Sequence, residues 1–157
     1  MARFRYSMQS ILNIKTKMET QAKQEFSAAS AALREEEERL QALYDRKAAY
    51  EREAEALLSG ILRIRDIEDN KRAILCMEDY IVGQKKRITI AERNLELARE
   101  RLTEVMRERK THETLKDKDF EQFLAEEKRR EGKEVDELTS YTYGQRRKEE
   151  AGIGYGE

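Results

Sequence analysis

From residue 67 to residue 105, apolar side chains recur with the alternating three- and four-residue step of a heptad. Ile67, Ile74, Ile81, Ile88, Leu95 and Leu102 fall seven apart without a slip, and Asn70, Met77, Gln84, Ala91, Ala98 and Val105 lie between them. That pattern predicts a helix whose narrow apolar seam faces a second helix while both supercoil. Asn70 and Gln84 are polar members of the seam. Such residues cost stability but can fix register or partner choice.

A looser seam precedes it. Phe4, Met8, Ile11, Lys15, Met18 and Ala22 form one run. After a four-residue step to Phe26, a second run continues through Ala29, Leu33, Glu36, Leu40, Leu43, Lys47, Tyr50, Ala54, Leu57, Ile61 and Ile64. Two successive steps of four make a stutter, which unwinds the supercoil locally. Glu36 and Lys47 fit at the seam's edge, with stems packed and heads in water. On the outer faces, Glu35 with Arg39, Glu68 with Arg72 and Glu126 with Arg130 have the spacing of helical ion pairs.

Two such arms in one chain require a reversal. Ser59-Gly60 follows Leu57-Leu58, with the N-cap candidates Asp66, Asp69 and Asn70 beyond. The reversal is therefore expected at about 59–70, including a short helical turn over 61–65. Gly83 lies inside the strict heptads and is expected to weaken that helix without ending it. The fold class is all-α, an antiparallel two-helix coiled coil. Residues 1–140 make a single domain, with a first arm at about 3–58 and a second at about 71–138. Arms of roughly 55 residues would each be about 80 Å long. Residues 141–157, ending in a glycine-spaced run from Ala151, are expected to form a flexible tail. A hairpin and a dimer share one heptad code, so the oligomeric state stays open.

Composition agrees with long helices. The chain has no proline in 157 residues, and 41% of it is charged. Alanine, glutamate, leucine, lysine and arginine, all good helix formers, exceed half of it. No apolar stretch approaches a membrane span, and no apolar segment behind Arg3 and Arg5 resembles a secretory signal. A lone cysteine, Cys76, excludes an internal disulfide and suits a reducing compartment.

The candidate chemistry is sparse. His112, the one histidine, is expected to be solvated in a charged helix. Cys76, beside the seam residue Met77, is expected to be a partly buried, inert thiol. Consecutive carboxylates at Glu35-Glu36-Glu37-Glu38 splay about 100° apart on a helix and cannot converge on one cation. No glycine-rich phosphate loop is present. No catalytic residue, cofactor site, metal site or small-molecule substrate is expected, and the chain reads as a non-enzyme. The 32 basic residues are interleaved with 33 acidic ones, which argues against nucleic-acid binding. The first 18 residues differ: they hold Arg3, Arg5, Lys15 and Lys17 and no acid. They also carry Phe4, Tyr6, Met8, Ile11, Leu12, Ile14 and Met18, too many apolar groups for one narrow seam. Two readings fit this end: a wider packing patch against the returning arm, or a plug for a hydrophobic sleeve in a partner.

The opening Phe4-Arg-Tyr6-Ser-Met8-Gln-Ser-Ile11-Leu12-Asn-Ile14-Lys15, followed by Glu19 and Ala22-Lys23, resembles the start of the flagellar export protein FliJ family. The Glu-rich stretch from Glu35 to Leu43, Tyr50, and Val135-Asp136-Glu137-Leu138 are similar too. Met8 stands where leucine is commoner in that family. The resemblance covers about residues 1–140. It implies a small cytoplasmic component of the flagellar type III export apparatus, peripherally associated with the inner face of the cell membrane at the flagellar base. It also implies a stalk-like antiparallel coiled coil whose paired ends enter the pore of the hexameric export ATPase FliI. Contacts with the export gate protein FlhA and with flagellar export chaperones are further implications. Carried onto this chain, the pore-facing residues are Phe4, Tyr6, Met8, Ile11, Leu12 and Lys15, with Asp136, Glu137 and Leu138 from the returning arm. Competing readings are a homo-oligomeric coiled-coil scaffold, or the stalk protein of another secretion system or rotary ATPase.

Overall fold

The computed structural model describes residues 2–153. It contains two helices, α1 (Gln9–Leu57) and α2 (Ile64–Ile153), and no strand among the described residues. They pack as an antiparallel hairpin. The chain divides into two compact units, one of residues 15–108 and one of residues 1–14 with 109–157.

In the unit 15–108, the predicted seam is the observed one. Every seam position of α2 from Ile67 to Val105 is buried or half-buried, and so is every α1 seam position from Lys15 to Leu57. Among the seam residues Ala22, Met77, Ile81, Ala91 and Val105 are buried, the last only 1% exposed. Partner numbers fall along one helix as they rise along the other. Lys15 Nζ meets Glu108 Oε2 at 2.7 Å, and Lys47 Nζ meets Glu78 Oε1 at 3.6 Å. The two polar seam residues cross to the other helix. Asn70 Nδ2 donates to the Tyr50 carbonyl at 2.9 Å. Gln84 Nε2 donates to the Glu36 carbonyl at 3.0 Å and to the Glu36 carboxylate. Glu36 thus becomes a member of the seam, its carboxylate also held by Arg39 at 3.1 Å. Buried polar groups so paired avoid the desolvation penalty that unpaired ones would carry.

The reversal is shorter than the sequence predicted. Residues 58–63 make it, and α2 begins at Ile64 with the Arg63 carbonyl accepting from Ile67 N at 3.1 Å. Asp66 therefore sits in the first turn, where a carboxylate favours the helix dipole, and not at the cap. Asp69 and Asn70 lie deeper, and Asn70 is spent on the seam. Gly60, at φ 101°, turns the chain in a conformation that a side chain would strain. Because α1 has already ended, Ile61 and Ile64 leave the seam and are exposed. Gly83 is helical, as expected.

At its far end α2 runs past Leu138, where the second arm was expected to stop, to Ile153. No proline interrupts it, and local contacts support it: Arg130 with Glu127 at 3.1 Å, Gln145 Nε2 to Tyr141 Oη at 3.0 Å, and Arg147 over the Tyr143 ring. Of the expected tail, 141–153 is helical, and 154–157 lie outside the described residues.

Candidate functional site

The unit of residues 1–14 and 109–157 holds most of the residues singled out for partner binding. Residues 2–6 precede α1 and are not helical, so heptad spacing has no force there. Phe4 sits edge-on against Phe120, with ring centroids 5.1 Å apart, and tilted against Phe123 at 5.4 Å. Aromatic pairs at such angles gain beyond the area they bury. Tyr6 is buried, and its Oη has no hydrogen-bond partner among the described residues. Leu12 is buried as well.

This corrects the seam at the start of the chain. Met8 and Ile11 are exposed, while Leu12 takes the inward place. The physical reason is the position of the helix start. With α1 beginning at Gln9, Leu12 stands one helical turn before half-buried Lys15, while Tyr6, ahead of the helix, is buried and Met8 is not. Glu19 is also buried, beside Ala22, and pairs with Lys23 at 3.4 Å; the apolar pattern gave no sign of it.

The nine candidate residues fall into three groups. Phe4, Tyr6 and Leu12 are committed to packing within this unit. Lys15 belongs to the other unit, where it is bound to Glu108. Met8 and Ile11 on one side, and Asp136, Glu137 and Leu138 on the other, are exposed. The structure does not bring Asp136–Leu138 to the Phe4 cluster. Leu138 lies fifteen residues beyond Phe123 on the same helix, about 22 Å along its axis. Ile14, one turn on from Ile11, is exposed too and extends the Met8–Ile11 face. Its signal in the sequence was the excess of apolar residues around this part of the helix.

Near that face is a cleft lined by Arg3, Phe4, Arg5, Tyr6, Gln9 and Lys116, three cations with no acid. The other candidate side chains carry no assembled chemistry. His112 is half-buried, not solvated, because it takes a heptad position; its Nδ1 is buried without a hydrogen-bond partner. Cys76 is exposed, not partly buried, because it stands one residue off Met77. Among the described residues no group of three metal-ligating side chains forms, and no helix is long and apolar enough to cross a membrane.

The geometry is that of a helical-hairpin coiled coil, with its seam committed internally and its apolar termini partly uncovered. The family model described as the flagellar FliJ protein matches residues 4–148, and the chain belongs to that family. Its role is accordingly related to flagellar export. No curated protein and no solved structure gave a significant match.

Proposed function

We propose that this chain is a non-enzymatic coupling stalk of the flagellar type III export apparatus. One end engages the pore of the hexameric export ATPase FliI, another region meets the export gate FlhA, and the chain assists export chaperones at the inner face of the membrane. The family match over residues 4–148 carries this reading. Two long helices without a proline, and an exposed apolar face with no acid before Glu19, support it. A long paired helix can transmit displacement or torque without making or breaking bonds.

Within the nine candidates, the exposed residues are the direct contacts: Met8 and Ile11 of the first arm, with Asp136, Glu137 and Leu138 of the second. Phe4, Tyr6 and Leu12 serve packing near the start of the first arm, and Lys15 pairs with Glu108 at the start of the seam. The test follows from exposure. Leu12→Asp would bury a charge and unfold the unit, so it is uninformative. Met8→Asp with Ile11→Asp leaves helicity intact by circular dichroism and abolishes stimulation of the purified export ATPase. Stimulation equal to wild type would remove these residues from the ring contact.

A further inference from the structure

The six-residue reversal carries more apolar surface than a turn requires. Ile61 is 90% exposed, and Leu58, Leu62 and Ile64 are each at least 60% exposed. From Ala56 to Arg65 the chain has no acidic residue; its only charges are Arg63 and Arg65. The tip is held in shape from below. Ser59 N and Ser59 Oγ both donate to the Ala56 carbonyl, at 3.2 and 2.9 Å, and Gly60 at φ 101° turns the chain outward. Solvent-facing turns are normally polar, because isolated aliphatic groups gain nothing from exposure. Four aliphatic residues and two arginines on one short tip therefore need a cover.

We propose that residues 58–65 are a lipid-docking tip. Leu58, Ile61, Leu62 and Ile64 enter the interfacial zone of an anionic bilayer, and Arg63 and Arg65 bind lipid phosphates. Charge and side-chain type select this occupant. A second copy of the tip would set like charges against each other. Of the usual anchors of protein interfaces, tryptophan, tyrosine and arginine, this tip has only the arginines, and those suit lipid phosphate equally. Branched aliphatic groups dissolve in acyl chains without a shaped pocket, and guanidinium groups pair with phosphate in a fork. Depth is limited by the backbone. Residues 58–63 lie outside both helices, and their peptide groups could not enter the hydrocarbon core unpaired. At headgroup depth, water and phosphate satisfy them. This proposal does not depend on the ATPase reading, and protein-free vesicles test it separately.

The chain has no tryptophan, so Ile61→Trp installs a single reporter. With vesicles of phosphatidylcholine and phosphatidylglycerol its emission shifts to the blue and is quenched by brominated acyl chains. With phosphatidylcholine alone the shift is small. In vesicle sedimentation, Arg63→Gln with Arg65→Gln lowers partitioning by about 25-fold at low salt, roughly fivefold per arginine. Ile61→Asp with Leu62→Asp lowers it at least about a hundredfold while helicity is unchanged. Arg3→Gln with Arg5→Gln, at the other basic segment, leaves it within about twofold. The proposal is overturned if the Ile61→Trp reporter shows no shift on anionic vesicles, or if the loss follows the Arg3/Arg5 variant instead. It is equally overturned if the tip variants sediment like wild type, or if the tip is needed only for capture by the detergent-solubilised gate protein.

Discussion

The two units use the same helical material for opposite ends. Between Lys15 and Glu108, both helices turn their seams inward, and even the polar seam residues Asn70, Gln84 and Glu36 are paired across it. In the unit formed by residues 1–14 and 109–157, packing centres on three phenylalanines and Tyr6. There Met8, Ile11, Leu124, Val135, Leu138, Tyr141 and Tyr143 stay exposed. The first unit satisfies its seam and leaves apolar groups uncovered at its tip; the second leaves them exposed along its helices. A narrow two-helix seam gives contact at every layer with little area per layer, so its strength comes from repetition. The aromatic unit concentrates its contacts at one place, and beyond it α2 is largely exposed among the described residues.

The sharpest way to break this distinction is to place one proline in each region. Leu95→Pro removes a helical hydrogen bond inside the paired seam and should cost about 3 kcal/mol or more. Leu138→Pro lies in a stretch of α2 that is exposed among the described residues and should lower global stability by well under half of that. Thermal unfolding followed by circular dichroism measures both, and equal losses would erase the distinction. A smaller effect compares side chains. Val105→Ala should cost about 2 kcal/mol, because Val105 is 1% exposed and its contacts cannot collapse fully. Phe120→Ala, though it removes far more atoms, should cost about 1 kcal/mol, because Phe120 is 43% exposed. Urea denaturation ranks the two, and the reverse order would put the stronger core among the aromatics. The smallest effect is a gain. A methyl group at Gly83 meets nothing within 4 Å, so Gly83→Ala should stabilise the seam unit by about 0.5–1 kcal/mol. A loss on that change would mean the glycine serves a close approach by something outside the chain.

The seam was legible in the sequence because period and burial coincide wherever both partners are helical. That condition held from Lys15 to Leu57 and from Ile67 to Val105, and there each predicted position points inward. It failed at both ends of the first arm. Periodicity cannot locate a helix start, so Met8 and Ile11 took seam positions that belong to Tyr6 and Leu12. Nor can it locate the stop, so Ile61 and Ile64 were carried past Leu57 into the turn. Cys76 is exposed because one residue of phase from Met77 is about 100° of rotation, whereas His112 is half-buried because it stays on the heptad phase of Val105. For the partner surface, residue types could be read but not exposure. Exposure divides the nine candidates into those that build the unit and those free to meet another protein.

Asn70 has one further consequence. Its acceptor on α1 is a main-chain carbonyl, which accepts this bond beside its own helical one. The bond therefore does not depend on which amino acid occupies position 50. Tyr50 can be exchanged for another helix former of similar bulk without touching the fastening, whereas Asn70 cannot be exchanged at all. At this layer the fastening is written on α2 alone, whereas Lys15, Glu36 and Lys47 contribute α1 side chains at other layers. Mutational tolerance at this layer should accordingly be lopsided, strict at position 70 and permissive at position 50.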